Sequence, residues 1–120
     1  MKNIYNLVHL TEIAKNIEIS KTAISQMIGL MFRSNIPADY AMIFPVKKPS
    51  FVLFHMFFMN FPIDIIFLDA DKTIISMFHL KPWVSFCCKD NVRYVIETNA
   101  GNIEKYNLSE GDKLLFSGYF

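Results

Sequence analysis

The stretch from 51 to 68 constrains the fold most, because it is long and apolar but carries polar breaks. It reads FVLFHMFFMNFPIDIIFL and is interrupted by His55, Asn60, Pro62 and Asp64. A helix that spans a membrane needs about 20 mostly apolar residues, and an Asp near its centre costs a few kcal/mol. The aromatic and β-branched residues on either side of a central proline favour two buried β-strands. We therefore expect no membrane partner for this stretch.

Length and cysteine usage indicate the class of protein. The chain has 120 residues, 52% of them hydrophobic, which predicts a single domain over 1–120 with a substantial core. Its two cysteines, Cys87 and Cys88, are adjacent, so on a strand they point to opposite faces. This arrangement disfavours a disulfide framework, and free thiols are typical of a reducing compartment. With polar residues soon after Met1 and no signal-peptide pattern, we predict a cytoplasmic protein.

The charge balance argues against several classes of partner and cofactor. Twelve Lys and Arg residues against eleven Asp and Glu residues give a net charge of +1. Nucleic-acid binding usually needs a basic surface, so we expect no nucleic-acid partner. The three histidines lack the spacing of metal ligands, and the chain has no Gly-rich phosphate loop. We expect neither a metal nor a cofactor.

Turn and strand signals predict a mainly β fold with two short helices. Ser20 is a good N-cap for a helix that ends near Gly29, and a second short helix is predicted over 102–106. A short strand over 41–44 would end at Pro45. Six to eight strands in all are typical of a curved sandwich or partly closed, jelly-roll-like barrel.

The long apolar stretch is predicted to form an antiparallel hairpin. Residues 51–58 and 63–69 would pair around a turn at 60–62. If Phe57 lies opposite Asp64, His55 and Asp64 share one face on a diagonal, with their backbones roughly 7–8 Å apart. A shift by one residue would put these two side chains on opposite faces.

Several blocks, in a fixed order, carry a resemblance. They are GLMFR at 29–33, HMFFMNFPID at 55–64, IIFLD at 65–69, LKPW at 80–83, YVIETNAG at 94–101 and GD at 111–112. With them the chain resembles the family called domain of unknown function 192, from about residue 4 to residue 116, and it looks like an archaeal member. The resemblance implies a mainly β, sandwich-like fold and no established enzyme activity. It also implies binding of a small ligand or a carbohydrate, as suggested for relatives by fold analogy.

One departure from the family pattern concerns a turn. The family's turn after the IIFLD block usually ends in Gly, where this chain has Lys72. A left-handed backbone costs a non-Gly residue about 1 kcal/mol, so we expect the turn to have changed.

Five polar or aromatic residues set among apolar blocks are the candidate ligand-binding residues. They are Arg33, His55, Asp64, Trp83 and Glu97. A carboxylate in the surroundings of Asp64 must be paired, hydrogen-bonded or protonated. It is either one half of a His–Asp pair in a pocket or a structural anchor that binds backbone N–H groups or Arg33. Trp83 is either a stacking platform or a core side chain.

Three functions remain open at this stage. The first is a non-enzymatic binding module that holds a small polar ligand or carbohydrate with the five candidate residues. The second is a structural or protein-interaction domain, suggested by the apolar residues at 57–59 and 119–120. The third is a hydrolase that uses Asp64 and Glu97 as its two carboxylates. No catalytic residue is assigned, and the first function is favoured.

Overall fold

The chain is mainly β, as predicted. The computed structural model describes residues 7–9, 13–14, 16–19 and 35–116. Within these residues the elements are β1 (Leu7–His9), β2 (Asn16–Ile19), β3 (Tyr40–His55), β4 (Ile63–Leu68), β5 (Ile74–Leu80), β6 (Phe86–Asn99), α1 (Asn102–Lys105) and β7 (Lys113–Leu115). Helix α1 confirms the second predicted helix. The first predicted helix and Arg33 lie outside the described residues.

Most strands belong to one open, curved sheet. Its five strands are in the order β2-β3-β6-β4-β5, and β1 pairs with β7 in a separate two-stranded sheet. Only the β2–β3 pair is parallel within the larger sheet. Strands β3 and β6 form a long ribbon whose register shifts between Pro45 and Ser50 and again between Ser50 and Val52. Such irregularities bend and twist a strand, and they give this sheet its sandwich-like curvature.

The predicted hairpin between residues 51–58 and 63–69 is wrong. Strand β3 pairs with β6, and β4 lies between β5 and β6. All six β4 residues are buried, which explains why the apolar stretch shows no polar face there. Apolar side chains specify that a strand is buried but not which strand lies beside it, and here the strand that precedes β4 in the sequence is not its partner.

The predicted strand end at Pro45 is also wrong. Strand β3 continues through Pro45 to His55. Strand β2 pairs with β3 only from Tyr40 to Ile43, so Pro45 lies just past that pairing. Proline lacks an N–H donor and is tolerated at such an edge position.

The two faces of the sheet carry two separate apolar cores. Met42, Ile65, Phe67 and Val95 belong to one cluster. Their neighbours along the strands, such as Ile66, belong to the other cluster. Because side chains alternate along a strand, successive buried apolar residues of β4 and β6 belong to one core and then to the other. In the described part of the chain, no helix is long and apolar enough to cross a bilayer.

Candidate functional site

Asp64 is a buried carboxylate in the second residue of β4. Its side chain is 2% exposed, and its Oδ1 atom lies 2.8 Å from Nδ1 of His79, whose side chain is 56% exposed. The two residues are direct cross-strand partners in the β4–β5 pair. The geometry is that of an Nδ1–H donor and a carboxylate acceptor, so this bond selects one tautomer of a neutral ring.

The other oxygen of Asp64 binds the start of helix α1. Oδ2 accepts the N–H groups of Gly101 at 3.0 Å and Ile103 at 2.9 Å. The first N–H groups of a helix have no partner within the helix, and a carboxylate there is also favoured by the helix dipole. Gly101 turns the chain from β6 into α1 with φ 96°, a conformation that suits glycine. Three hydrogen bonds therefore offset the burial of this carboxylate.

A second set of hydrogen bonds fixes α1 from the other side. The hydroxyl of Thr98 donates to the carbonyl of Tyr40 at 3.0 Å and accepts from Nδ2 of Asn102 at 2.7 Å. Asn99 donates through its side chain to the carbonyl of Pro37. The end of β6 is thereby tied to the start of β3 and to the loop before it. The backbone around Asp64 is held in place by polar contacts as well as by packing.

A cleft of about 310 Å³ opens beside this carboxylate. Its described lining consists of Asp64, Met77, Phe78, His79, Gly101, Ile103 and Glu104. Because Asp64 holds Nδ1 of the His79 ring, Nε2 lies on the opposite side of the ring and can accept a hydrogen bond from a ligand. Glu104 adds a carboxylate from the first turn of α1. The cleft thus combines an oriented imidazole, a carboxylate and apolar walls.

The structure confirms that Asp64 is buried and hydrogen-bonded, but its histidine partner is His79 and not His55. The predicted diagonal between His55 and Asp64 is wrong because it depended on the incorrect hairpin. His55 instead ends β3, where its Nδ1 accepts the N–H of Phe57. Trp83 is about half exposed, and its ring lies edge-on to that of Phe58 at 5.2 Å. Neither His55 nor Trp83 lines the cleft beside Asp64.

Glu97 is fully buried, but it does not share a site with Asp64. In the β4–β6 pair, Asp64 lies opposite Thr98 and Glu97 lies opposite Ile65. Glu97 and Asp64 therefore point to opposite faces of the sheet. A glycosidase needs both carboxyl groups on either side of one bond, so the predicted hydrolase with these two residues is wrong. Arg33, the fifth candidate, lies outside the described residues.

His79, Gly101 and Glu104 were missed as site residues. The turn over 69–72 offered a partial signal, because counting outward from it along two antiparallel strands brings Met77 opposite Asp64, and His79, two residues further on, lies on the same face of β5. The strand predicted there ends at residue 78, whereas β5 continues to Leu80 and includes His79. The hydrogen bond between Gly101 and Asp64 joins residues 37 positions apart, and no local sequence pattern predicts it.

The described residues contain no group of three or more His, Cys, Asp or Glu side chains that could hold a metal ion. The two cysteines are reduced, with Cys87 buried and Cys88 exposed, as their alternation on a strand predicts. Neither thiol lines the cleft.

Comparison with known proteins shows that the chain matches a protein family over most of its length. The model of the family DUF192, described as "Uncharacterized ACR", matches residues 8–116. UPF0127 proteins from Pyrococcus furiosus and Pyrococcus horikoshii are 32% and 34% identical over 105 and 100 residues. These matches cover 86% and 82% of this chain and 88% and 84% of the relatives.

A UPF0127 protein from Thermococcus sibiricus is 33% identical over 100 residues, which are 82% of this chain. The chain spans only 64% of that relative and 63% of the one from Thermococcus gammatolerans.

Two solved structures have a similar fold. One is a candidate transcription regulator from Sinorhizobium meliloti, with a TM-score of 0.76, 27% identity and coverage of 81% of this chain and 78% of that one. The other is a protein of unknown function from Novosphingobium aromaticivorans, also with a TM-score of 0.76, at 28% identity and with coverage of 81% and 71%. Both likenesses support the sandwich-like fold.

Proposed function

The chain belongs to the DUF192 family, a conserved family with archaeal members, and from that premise we propose that it is a binding module for a small hydroxylated molecule such as a carbohydrate. The ligand occupies the cleft between β5 and α1. One observation carries the proposal: the buried Asp64 holds the exposed ring of His79 in a single orientation at the edge of that cleft.

The charges around the cleft favour a neutral ligand that donates hydrogen bonds. The described lining includes the carboxylates of Asp64 and Glu104 and no Lys or Arg. An anion placed there would meet negative charge without a cationic partner. A sugar hydroxyl can donate to Nε2 of His79 or to Glu104, which are both acceptors when the ring is neutral.

The size and apolar walls of the cleft favour a ligand with one less polar face. A volume of about 310 Å³ is near the lower end of the range for small-molecule sites, about 300–1,000 Å³. Met77 and Ile103 are half-buried and line this space. The C–H face of a monosaccharide ring can pack on such side chains while its hydroxyl groups remain bonded at the rim.

Calorimetric titration and thermal-shift measurements with a panel of neutral sugars, polyols and matched anionic sugars test the proposal. We expect saturable binding of at least one neutral sugar or polyol, and weaker binding of its anionic counterpart. His79→Ala and Glu104→Gln should each weaken that binding at least tenfold, because the first removes an acceptor and the second replaces a charged carboxylate acceptor with a neutral amide.

His55→Ala is the matched control, since His55 is also exposed but lies outside the cleft lining. This variant should bind like the wild type. Binding that tolerates His79→Ala, or a panel in which only anions bind, would reject the proposed ligand class.

A further inference from the structure

The ribbon of β3 and β6 presents an apolar face away from the core. Phe51, Leu53 and His55 alternate along β3 on one side, and the register places Cys88 opposite Leu53 and Phe86 opposite His55. The ring of Phe57 extends the same surface, 5.0 Å from the ring of His55. We call this surface the ribbon face; it consists of Phe51, Leu53, His55, Phe57, Phe86 and Cys88.

The large apolar side chains of the ribbon face are mostly exposed. Phe51 is 63% exposed, Leu53 62%, Phe57 57% and Phe86 72%. Side chains of this kind bury about 150–250 Å² each, so these four present roughly 500 Å² of apolar surface. The largest apolar patch of an ordinary monomer is about 300–600 Å² and is often functional.

We infer that the ribbon face is the interface between two copies of this chain. A standard interface buries about 800 Å² on each partner, so an apolar centre of roughly 500 Å² with a polar rim is enough for a dimer. The same face on both copies gives a closed, two-fold assembly. This inference is independent of the proposed ligand site, which lies between β5 and α1.

The charges of the chain permit such self-association. The net charge is +1, so two copies repel each other weakly. The centre of the ribbon face, around Leu53, carries no Lys, Arg, Asp or Glu among its defining residues. Bringing two such faces together desolvates apolar groups, and the exposed Asp90, on the same side of β6 as Phe86 and Cys88 and next to Phe51, adds a charge at the rim of the face.

The edge of β3 disfavours the addition of a strand from a second copy, so a second copy would pack on the ribbon face. Pro45 and Pro49 lie in β3 and supply no N–H group for a further strand. Proline on an edge strand is a known protection against edge-to-edge pairing. The apolar side chains of the ribbon face remain the surface that a second copy can cover.

A two-fold axis through the centre of the ribbon face brings the two Cys88 residues near each other. Cys88 is exposed and lies opposite Leu53, whereas Cys87 is buried on the other side of β6. A short bis-maleimide should therefore cross-link the wild type into a covalent dimer. Cys88→Ser should abolish this product, and Cys87→Ser should retain it.

Sedimentation equilibrium of the full chain at concentrations of roughly 1–500 µM is the decisive measurement. For an interface of this size we expect a dimer dissociation constant within or below this range of concentrations. We expect the apparent mass to rise toward twice that of the monomer. Leu53→Asp and Phe86→Asp should each raise the dimer dissociation constant at least tenfold. Val84→Asp, at an exposed apolar residue outside the ribbon face, should leave it unchanged.

Circular dichroism checks that each variant is folded. Because Leu53→Asp and Phe86→Asp are tested separately, the inference can still be tested if one of them does not fold. A monomer at every concentration, or a dimer that survives both Asp variants, would overturn the inference. A monomer that binds phosphatidylcholine or phosphatidylglycerol vesicles through the same residues would also overturn it, because the partner of the ribbon face would then be a lipid surface and not a second copy of the chain.

Discussion

Asp64 lies opposite His79 across strands β4 and β5, and its two carboxylate oxygens serve two different elements. Oδ1 holds the imidazole of His79 at 2.8 Å, and Oδ2 holds the N–H groups at the start of α1. One buried side chain thus joins β4, β5 and α1 around the proposed ligand cleft. The stability of the fold and the geometry of the site depend on the same group.

Replacing Asp64 should destabilise the protein far more than replacing His79. Asp64→Ala leaves the part-buried N–H groups of Gly101 and Ile103 without this acceptor and opens a gap in the buried strand β4, and we expect a loss of about 2–4 kcal/mol. His79→Ala removes a largely exposed partner and should cost about 1 kcal/mol or less. Urea denaturation of the two variants measures both values.

Asp64→Asn separates the two roles of the carboxylate. Its carbonyl oxygen can still accept both N–H groups, so we expect a loss of only about 1 kcal/mol. If Asp64→Ala costs no more than Asp64→Asn, the bonds to Gly101 and Ile103 contribute nothing to stability.

The turn at Lys72 keeps its left-handed backbone, contrary to the expected change of turn. Lys72 has φ 64°, and its Nζ atom donates to the carbonyl of Phe116 at 2.6 Å and lies 4.5 Å from the centre of that ring. These contacts compensate the strain of a non-Gly residue. Both Lys72→Ala and Lys72→Gly remove them, but only Gly relieves the strain.

We therefore expect the Gly variant at position 72 to be about 1 kcal/mol more stable than the Ala variant in chemical denaturation. Equal stabilities, or a more stable Ala variant, would mean that the backbone conformation at this turn is not strained.

The two adjacent thiols should differ sharply in reactivity. Burial, and to a lesser extent the neighbouring Cys88, raises the pKa of Cys87 from 9.0 to about 12. The thiolate is the reactive form, so Cys87 remains inert at pH 8 in the folded protein. We expect Ellman's reagent to titrate one thiol rapidly in the native state and two after denaturation. Rapid loss of both thiols in the native state would contradict the buried position of Cys87.

The same shift in pKa predicts a loss of stability at high pH. Above pH 9.0 the unfolded chain loses the proton of Cys87, while the folded chain keeps it until its pKa of about 12. The unfolded state then binds fewer protons, so the free energy of unfolding falls as pH rises through this window. Between pH 9 and 12 the free energy of unfolding should fall less steeply for Cys87→Ala than for Cys88→Ala. Equal slopes for the two variants would show that the pKa of Cys87 is not raised in the folded protein.

Thr98 and Asn102 should be energetically coupled. The hydroxyl of Thr98 accepts from the side chain of Asn102 and donates to the carbonyl of Tyr40, and all three groups lie in buried residues. A double-mutant cycle with Thr98→Val and Asn102→Ala should give a coupling energy of about 1 kcal/mol. Strict additivity would show that the bond between them is not maintained in solution.

The sequence predicted the burial of β4 and the position of α1 because both depend on local patterns. An apolar run with β-branched residues indicates burial on both faces, and the Asn-Ala-Gly turn indicates the start of the helix. The partner of β3 was not predictable in this way, since its pairing with β6 joins residues such as Ala41 and Thr98 that are far apart in the chain.

The site was predicted only in part, and for the same reason. A charged residue such as Asp64 in an apolar strand must be compensated, so its burial and its hydrogen bonds followed from the sequence. The identity of its partners depends on strand register, and an incorrect hairpin gave His55 in place of His79. The separation of Asp64 from Glu97 onto opposite faces likewise required the register of β4 and β6.

The most direct test of the central claim, that Asp64 holds the His79 ring as part of a ligand site, is an NMR titration of the three histidine rings. Neutral sugars and polyols are added to the labelled protein, and the ring signals are assigned with single His→Gln variants. The account predicts a saturable shift of the His79 ring and of the Gly101, Ile103 and Glu104 amides, with His55 unchanged. A panel that leaves His79 and these amides unperturbed, or that shifts other residues in their place, would contradict it.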